Sequence, residues 1–391
     1  ASLSDLAFPY DGYRAGQRKF AANVYVAIRE KKRLFAQAPT GIGKTMAALY
    51  PAMLALGEGK CARVLMLTAR TTGRKSAMDA LAILRAHGAR LLAVEIAAKD
   101  KVCPMEKRDC RPEVCPYAKG FYDRLLDALE SALDGGNRER GEIGALAQAH
   151  RLCPFELSLA LAQLADVVVC DYNYVFDPFV AIDALMQGGA ALLIDEAHQL
   201  APRVQDNASA AVSAKQLRGL RRDAGQALGR KHALYKALTA ALRALEEAAR
   251  TEEFAAGRLE KPPEDLNAAM EGLLDAAGGA LAEGAGSPAS DAFSLAACWQ
   301  YAAGRLDERY AVLTEGAEKT ARIELFLLCA AQDILEKTKK ARGAVFFSAT
   351  LAPFEAAKRM LGSLDGTGAS GGRAEVAALA DFIRGHLTEA L

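Results

Sequence analysis

The fold of this chain follows from the stretch Ala38-Pro39-Thr40-Gly41-Ile42-Gly43-Lys44-Thr45. An apolar run typical of a strand precedes it, and a run typical of a helix start follows it. A tight loop in this context can bind phosphate, because its N–H groups wrap an anion at a helix N-terminus. We predict that Lys44 reaches the β- and γ-phosphates of a nucleotide and that Thr45 holds Mg²⁺. The remaining predicted nucleotide contacts in the loop are Ala38, Thr40, Gly41 and Gly43.

The loop departs from the usual GxxxxGK[ST] pattern at Ala38, where a glycine is expected. A glycine-rich turn that binds nothing is therefore the alternative. A second motif favours the nucleotide site, since Asp195, Glu196 and His198 directly follow the apolar run 191–194. A carboxylate at a strand end can hold Mg²⁺, and its neighbour can position the attacking water. We assign these roles to Asp195 and Glu196 and include His198 in the catalytic set.

Three further residues extend the predicted nucleotide site. Gln17 begins a helical pattern upstream of the loop, and its amide could pair with the edge of adenine. A surface helix start is the simpler interpretation of that residue. Ser348 and Thr350 follow the apolar run 344–347 and could relay the state of the γ-phosphate through hydrogen bonds.

The composition of the chain excludes several classes of protein. Its 391 residues, 51% apolar and 25% charged, are typical of a globular protein with two or three packed units. A net charge of +1 requires any nucleic-acid surface to be local. No apolar run is long enough to span a bilayer and no signal peptide opens the chain, so we expect no membrane partner. We also expect a monomer.

Four of the eight cysteines, Cys103, Cys110, Cys115 and Cys153, fall in one segment. The other four stand singly in apolar stretches, so the pattern indicates a reducing cytoplasm and a metal centre. Four thiolates can hold a [4Fe–4S] cluster or a zinc ion. Structural zinc favours close CxxC pairs, and none occurs in this sequence, so the wide spacing favours the iron–sulfur cluster. Four unrelated thiols are the remaining alternative.

Polar and aromatic residues at two other strand ends are candidates for nucleic-acid binding. Hydroxyls and an arginine after the apolar run 63–67 suit phosphate contacts, although helix capping is an equal alternative. Aromatic residues after the run 166–170 could stack on bases, although such residues are more often part of a core. The predicted DNA contacts are Thr68, Arg70, Thr71, Tyr172, Asn173 and Tyr174.

The alternation of apolar runs and helical patterns predicts an α/β fold with a parallel sheet covered on both faces. From about Pro202 to Lys340 the sequence shows no strand pattern and is rich in Ala, Leu, Glu and Arg. We interpret this segment as an all-α insertion.

Together these residues resemble the iron–sulfur helicases of the XPD and DinG type, within the superfamily that includes the DEAH-box proteins. The resemblance runs from Tyr13 to about Leu361 and rests on the motifs and on their order. It implies a RecA-like P-loop motor domain with an inserted iron–sulfur domain and an all-α arch domain. It also implies an ATP-driven motor that moves 5′→3′ on single-stranded DNA and acts on 5′-tailed or forked duplexes.

The resemblance predicts how the chain is divided. Family members continue into a second motor domain that carries an arginine finger, and no such sequence follows Leu361. We therefore expect a deleted form that binds Mg–ATP weakly and does not unwind DNA. The alternatives are a DNA-binding module without ATP turnover and an unrelated P-loop switch with a zinc domain. The predicted segments are motor domain 1 over 1–99, 166–202 and 341–361, the iron–sulfur domain over 100–165, the arch over 203–340, a linker over 362–372 and a C-terminal helix over 373–391.

Overall fold

The structure is a computed structural model that describes residues 3–106, 108–133 and 136–363. The chain divides into a first unit, Ala1–Ala201 with Asp333–Gly362, and a second unit that includes Pro202–Gln332. The predicted cysteine-bearing domain belongs to the first unit. Most of the predicted linker and all of the predicted C-terminal helix lie outside the described residues.

The strands in chain order are β1 (Arg33–Gln37), β2 (Arg63–Leu67), β3 (Ala93–Glu95), β4 (Asn137–Arg138), β5 (Val167–Cys170), β6 (Ala190–Asp195), β7 (Ala210–Ser213), β8 (Arg258–Leu259), β9 (Tyr310–Glu315), β10 (Arg322–Leu327) and β11 (Gly343–Ser348). The helices are α1 (Gln17–Arg29), α2 (Lys44–Gly57), α3 (Thr71–Ala86), α4 (Lys99–Val102), α5 (Phe121–Leu133), α6 (Arg140–Ala149), α7 (Pro154–Leu164), α8 (Asn173–Phe176), α9 (Asp183–Met186), α10 (Leu200–Ala208), α11 (Ala214–Leu228), α12 (Ala233–Ala248), α13 (Glu252–Ala255), α14 (Glu264–Ala282), α15 (Ser287–Ala303), α16 (Ala331–Thr338) and α17 (Phe354–Met360). Short 3₁₀ turns lie at Leu3–Asp5, Ala197–Gln199 and Glu318–Thr320.

The first unit is built on a seven-stranded sheet in the order β1-β11-β6-β2-β5-β3-β4. Every pairing in this sheet is parallel. In β2 the consecutive residues Val64, Leu65, Met66 and Leu67 are all fully buried. Because successive side chains point to opposite faces, this burial requires that both faces of the sheet are covered. The predicted α/β fold with a parallel sheet is therefore confirmed.

One face of the sheet is covered by helices with the predicted apolar spacing. Phe20, Val24 and Ile28 of α1 lie in one buried cluster with Leu49 and Met53 of α2. These positions recur every three to four residues, which places them on one side of each helix. Burial of α1 and α2 against the sheet fixes the loop between β1 and α2.

The strand order determines where the functional side chains meet. β1, β11, β6 and β2 are neighbours and run in the same direction. Their carboxyl ends therefore share one edge of the sheet, the usual ligand edge of an open α/β sheet. The phosphate loop after β1 and the acids at the end of β6 are both at this edge.

The second unit is not all-α, so that part of the predicted fold is wrong. It contains a four-stranded antiparallel sheet in the order β7-β10-β9-β8. In β10 the buried residues Ile323, Leu325 and Leu327 alternate with more exposed ones, which is the pattern of a half-buried strand. This pattern is present in the sequence, but it occupies six residues within a long segment of Ala- and Leu-rich helices. The strand was missed because the composition of the whole segment is dominated by those helices.

The helices of the second unit bury apolar residues along one face. Leu234, Leu238, Leu242 and Leu245 are all buried along α12. Trp299 of α15 is also buried, and its indole Nε1 donates a hydrogen bond to Oδ1 of Asn267 in α14 over 3.0 Å. In the part of the chain that the structure describes, none of the helices combines the length and the apolar character needed to cross a membrane.

Candidate functional site

The loop between β1 and α2 has a backbone that favours glycine at two positions. Gly41 has a φ of 87° and Gly43 a φ of 75°, both in the left-handed region. Gly43 precedes the first helical residue, Lys44, and no side chain caps the helix. The first N–H groups of α2 are therefore open toward the loop, as phosphate binding requires.

Gln17 and Arg14 hold this loop from the start of α1. The Nε2 atom of Gln17 donates to the carbonyl oxygen of Gly43 over 3.3 Å, and its Oε1 accepts from the N–H of Arg14 over 3.0 Å. The guanidinium of Arg14 donates to the carbonyl oxygen of Gly41. Gln17 is only 3% exposed. The structure thus gives Gln17 a contact to the loop, while its contact with adenine stays a prediction.

Ala38 extends the pairing of β1 by one residue. Its N–H donates to the carbonyl oxygen of Ser348 over 2.9 Å, and its side chain is buried. Ala38 does not line the cavity described next. The alanine in place of the usual glycine therefore leaves the phosphate loop open.

A cavity of about 540 Å³ lies at the carboxyl edge of the sheet. It brings together the loop and the acids that the sequence assigned to one nucleotide site. The predicted residues in its lining are Thr40, Gly41, Gly43, Lys44, Thr45, Thr68, Arg70, Asp195, Glu196 and His198. The lining also includes residues that the sequence analysis did not assign, namely Arg14, Ala69, Thr72, Gly73, Ser76 and Gln199.

Some of these missed residues had a signal in the sequence. Arg14 lies three residues before Gln17, and Gln199 directly follows His198. Thr72 and Ser76 are four residues apart on α3, so they share one face of that helix. Only the strand order shows that this face meets the phosphate loop.

The acid pair has the electrostatics of a cation site. Burial and the charge of Glu196 raise the pKa of Asp195 to about 6, while the N–H of Glu196 and the charge of Lys44 act against this rise. That N–H donates to Oδ1 of Asp195 over 2.9 Å. Because Lys44 influences Asp195, the two motifs share one site. A bound divalent cation would favour the ionised carboxylate further.

The chain turns sharply after β6 at Glu196. This residue has a φ of 49° in the left-handed region, which costs a residue with a side chain about 1–2 kcal/mol. The hydroxyl of Tyr172 donates to the carbonyl oxygens of Asp195 and Glu196, the latter over 3.1 Å. Tyr172 therefore stabilises the strained turn that presents the acid pair.

Hydrogen bonds join the acid pair to the end of β11. The Oγ atom of Ser348 donates to Oε2 of Glu196 over 3.2 Å and lies 2.8 Å from Nδ1 of His198. Since that hydroxyl proton is directed to Glu196, His198 donates from Nδ1. Oγ1 of Thr350 lies 3.4 Å from the same nitrogen. Ser348 and Thr350 thus contact the acid motif although neither lines the cavity.

The structure does not support stacking of DNA bases on Tyr172 and Tyr174. Tyr172 is fully buried and Tyr174 is 6% exposed, so neither ring presents a face to a base. The hydroxyl of Tyr174 donates to the carbonyl oxygen of Ala97 over 3.5 Å. Both rings are core residues at the end of β5. Asn173 is half-buried, and its N–H donates to Oδ1 of Asp171 over 3.1 Å.

The three predicted DNA contacts after β2 differ in their exposure and in the hydrogen bonds that they already make within the protein. Thr68 is 2% exposed, and its hydroxyl donates to the carbonyl oxygen of Arg70 over 3.2 Å. Oγ1 of Thr71 accepts from Arg74 over 3.2 Å. Arg70 is exposed and lines the cavity.

The four clustered cysteines do not form a metal site in the described residues. No group of three or more His, Cys, Asp and Glu side chains there is placed to hold a metal ion. Burial lowers the pKa of Lys99, but its hydrogen bond to Glu156, the charge of that carboxylate and the charges of Cys110 and Cys153 in their thiolate forms raise it overall. Two of the four sulfurs therefore lie near one cation, whereas the predicted set of four lacks geometric support.

Comparison with known families agrees with the motifs. The DEAD/DEAH box helicase family matches residues 15–95, and the DEAD_2 family matches residues 89–217. These two ranges contain the phosphate loop, the clustered cysteines and the acid pair. Residues 15–95 are thus similar to the DEAD/DEAH box helicases, and residues 89–217 to the DEAD_2 family.

Two named helicases are similar to parts of the chain. The chain is 24% identical over 232 residues to the general transcription and DNA repair factor IIH helicase subunit XPD of Arabidopsis thaliana, which is 49% of this chain and 30% of that protein. It is 22% identical over 253 residues to regulator of telomere elongation helicase 1 of Homo sapiens, which is 52% of this chain and 21% of that protein. The matches therefore span less than a third of either relative.

Two solved structures share the fold. An XPD helicase superposes with a TM-score of 0.58 at 16% identity, over 90% of this chain and 61% of that chain. A truncated XPD superposes with a TM-score of 0.56 at 15% identity, over 88% of this chain and 96% of that chain. The chain therefore has the RecA-like fold that its motifs predict.

Proposed function

We propose that this chain is part of an ATP-dependent DNA helicase of the iron–sulfur XPD type, and that its cavity binds Mg–ATP. One observation carries the proposal: Lys44 and Asp195, from two separate motifs, line the same cavity at the carboxyl edge of the sheet. Its volume, about 540 Å³, is in the range of small-molecule sites. The helicase names of the matched families and relatives support the reaction class.

The residues of the cavity have complementary roles in this proposal. Lys44 and the open N–H groups of α2 bind the β- and γ-phosphates. Thr45 and Asp195 hold Mg²⁺, and Glu196 positions the water that attacks the γ-phosphate. Because Ser348 donates to Glu196 and contacts His198, it keeps the carboxylate of Glu196 in place.

Single-stranded DNA is the proposed partner, supplied by 5′-tailed or forked duplexes, and the proposed direction of movement is 5′→3′. The resemblance to iron–sulfur helicases supports these assignments, and the exposed residue Arg70 is available at the cavity. We further propose a monomer in a reducing cytoplasm. None of the eight cysteines forms a disulfide in the structure, which supports that compartment.

The four clustered cysteines are the proposed ligands of a [4Fe–4S] cluster. The DEAD_2 match over 89–217 covers all of them and supports this assignment. The separations of Cys103, Cys110, Cys115 and Cys153 along the chain exceed those of close zinc pairs. Iron and sulfide analysis, with visible absorption of the purified protein, tests the assignment, and a protein that contains zinc alone would contradict it.

Variants of the cavity test the nucleotide site. Lys44→Ala should abolish Mg–ATP binding measured by titration calorimetry, because the phosphate charge loses its main partner. Glu196→Gln should retain binding but lose ATP hydrolysis, because the amide cannot act as a base. Lys215→Ala, at an exposed lysine of α11, is the matched control and should behave as wild type. Unchanged Mg–ATP affinity in Lys44→Ala would rule out the proposed site.

A further inference from the structure

Arg70 lines the nucleotide cavity with an unpaired guanidinium. The residue is exposed and follows β2, at the edge where the phosphate loop and the acids meet. Among the described residues, its side chain has neither a hydrogen bond nor an ion pair. The carboxylates of Asp195 and Glu196 line the same cavity but do not bind it. The charge of Arg70 is therefore available to an anionic ligand.

The backbone of Arg70 is held in place although its side chain is free. Its carbonyl oxygen accepts from the hydroxyl of Thr68 and from the N–H of Arg74, both over 3.2 Å. Gly73 allows this close packing, since a Cβ at that position would lie 3.1 Å from Cβ of Thr68. The turn is thus fixed from inside, and the guanidinium extends from a rigid support.

The order of the strands places Arg70 beside the acids. β2 is the direct neighbour of β6, with Leu67 opposite Ile194, so Arg70 and Asp195 follow strands about 4.8 Å apart. The phosphate loop follows β1 on the other side of β6. A triphosphate held by Lys44 and by a cation on Asp195 would therefore lie between two basic side chains, Lys44 on one side of the cavity and Arg70 on the other.

Two hydroxyl side chains line the cavity on the same side as Arg70. Thr72 and Ser76 are exposed, line the same cavity and lie on one face of α3. Hydroxyls are suited to donate to phosphate oxygens beside a guanidinium. Arg70 thus supplies one positive charge to an oxyanion, and Thr72 and Ser76 supply two hydroxyl donors.

We propose that Arg70, with Thr72 and Ser76, forms a second phosphate subsite that binds the terminal phosphate of the nucleotide. This inference rests on the proposed Mg–ATP site, and it reassigns Arg70 from the DNA backbone to the nucleotide. A guanidinium at this position stabilises the charge of the γ-phosphate from the side opposite Lys44. Arg70 then distinguishes a nucleoside triphosphate from a diphosphate.

Binding of two nucleotides to Arg70→Ala tests the subsite. We expect the variant to lose affinity for Mg²⁺ with the β,γ-imido analogue of ATP by about tenfold, the range of a hydrogen bond to a charged group. Its affinity for Mg–ADP should change by less than about twofold, because ADP lacks the terminal phosphate. Arg70→Lys should recover part of the loss, since it restores the charge but not the fork of donors.

The controls separate this inference from the proposed function. Arg29→Ala removes an arginine at the end of α1, outside the cavity, and should bind both nucleotides as wild type. Lys44→Ala should lose both nucleotides. If Lys44→Ala loses both and Arg70→Ala loses neither, the subsite is refuted while the Mg–ATP site stands. If Lys44→Ala also retains both, the Mg–ATP site itself is refuted.

Single-stranded DNA is the competing ligand for Arg70. Fluorescence anisotropy without nucleotide, at several salt concentrations, measures that contact. We expect Arg70→Ala to retain the DNA affinity and the salt dependence of the wild type. A weaker affinity with a salt slope reduced by about one would identify a DNA phosphate as the ligand and overturn the inference.

Discussion

The Nε2 atom of Gln17 donates to the carbonyl oxygen of Gly43 over 3.3 Å, which ties the start of α1 to the phosphate loop. The two residues are packed so closely that a Cβ at Gly43 would lie 2.6 Å from that nitrogen. The conformation of the loop therefore depends on a glycine for two separate reasons, its positive φ and the space that Gln17 occupies.

Gly43→Ala should damage both stability and nucleotide binding. The left-handed backbone alone costs about 1–2 kcal/mol with a side chain present, and the displacement of Gln17 adds to this loss. Chemical denaturation and titration with Mg–ATP measure the two effects. Gly59→Ala is the matched control, because Gly59 has a φ of 68° but open space around it. Equal losses of stability in the two variants would show that the contact with Gln17 contributes nothing.

Tyr172→Phe tests whether this ring positions the acid pair. The variant removes the hydroxyl that donates to the carbonyl oxygens of Asp195 and Glu196 but keeps the buried ring. We expect a loss of about 1–2 kcal/mol in unfolding free energy, because buried carbonyl groups lose a partner. Mg–ATP affinity should also fall. Tyr122→Phe, at a residue that is 84% exposed, should change neither property.

The same variant tests the positioning role independently of the stacking role that the sequence indicated. Phenylalanine stacks on a base as tyrosine does, so the affinity for single-stranded DNA should stay unchanged with either role. The loss of stability is therefore the result that identifies the positioning role. Unchanged stability would contradict the support of the turn at Glu196.

Asp195→Asn should stabilise the protein in the absence of Mg²⁺ and nucleotide. The folded protein raises the pKa of Asp195 from 3.8 to about 6, so between these values the folded state binds more protons than the unfolded state. Stability is therefore lost as the pH rises from about 4 through 6, by about 3 kcal/mol at neutral pH. Asparagine removes this penalty, while Mg–ATP binding should disappear with the carboxylate.

Denaturation curves of the wild type and of Asp195→Asn across this range check the sign. The advantage of the variant should grow from pH 4 to pH 6 and then stay constant. Titrating groups that do not interact with Asp195 cancel in the difference between the two proteins. A difference that does not depend on pH would show that Asp195 keeps an ordinary pKa.

The parallel sheet and much of the cavity lining could be predicted, because the residues next to each motif show that it stands at the end of a strand. A strand, a glycine loop and Lys44 define one half of the site, and Asp195 at the end of an apolar run defines the other. Lys44 and Asp195 meet because β1 and β6 run in the same direction, which the alternation of strands and helices implies, and because only β11 separates them in the sheet. The position of Arg70 in the cavity could not be predicted in this way, because it depends on β2 lying beside β6 in the sheet.

Other features could not be predicted because the same short sequence pattern is compatible with two different structures. Tyr172 and Tyr174 occur in a run that suits either a core or a stacking surface, and only packing shows that both are buried. Strand β10 alternates between buried and more exposed residues, yet it lies within a segment whose composition is otherwise typical of helices. The spacing of the cysteines indicates a metal centre but does not determine their positions in space.

The reactivity of the cysteines provides a last prediction, because burial separates them into classes. Cys110 is exposed, whereas burial raises the pKa of Cys61 to about 11 and also raises the pKa of Cys170. The thiolate is the reactive form, so in folded, metal-free protein iodoacetamide should modify Cys110 first and leave Cys61 and Cys170 intact. Peptide mass spectrometry over a time course measures this order, and denaturant should expose all eight thiols. A bound [4Fe–4S] cluster should protect Cys110 until a chelator removes the iron. Modification of Cys61 or Cys170 as fast as Cys110 in the folded protein would contradict the burial on which this order depends.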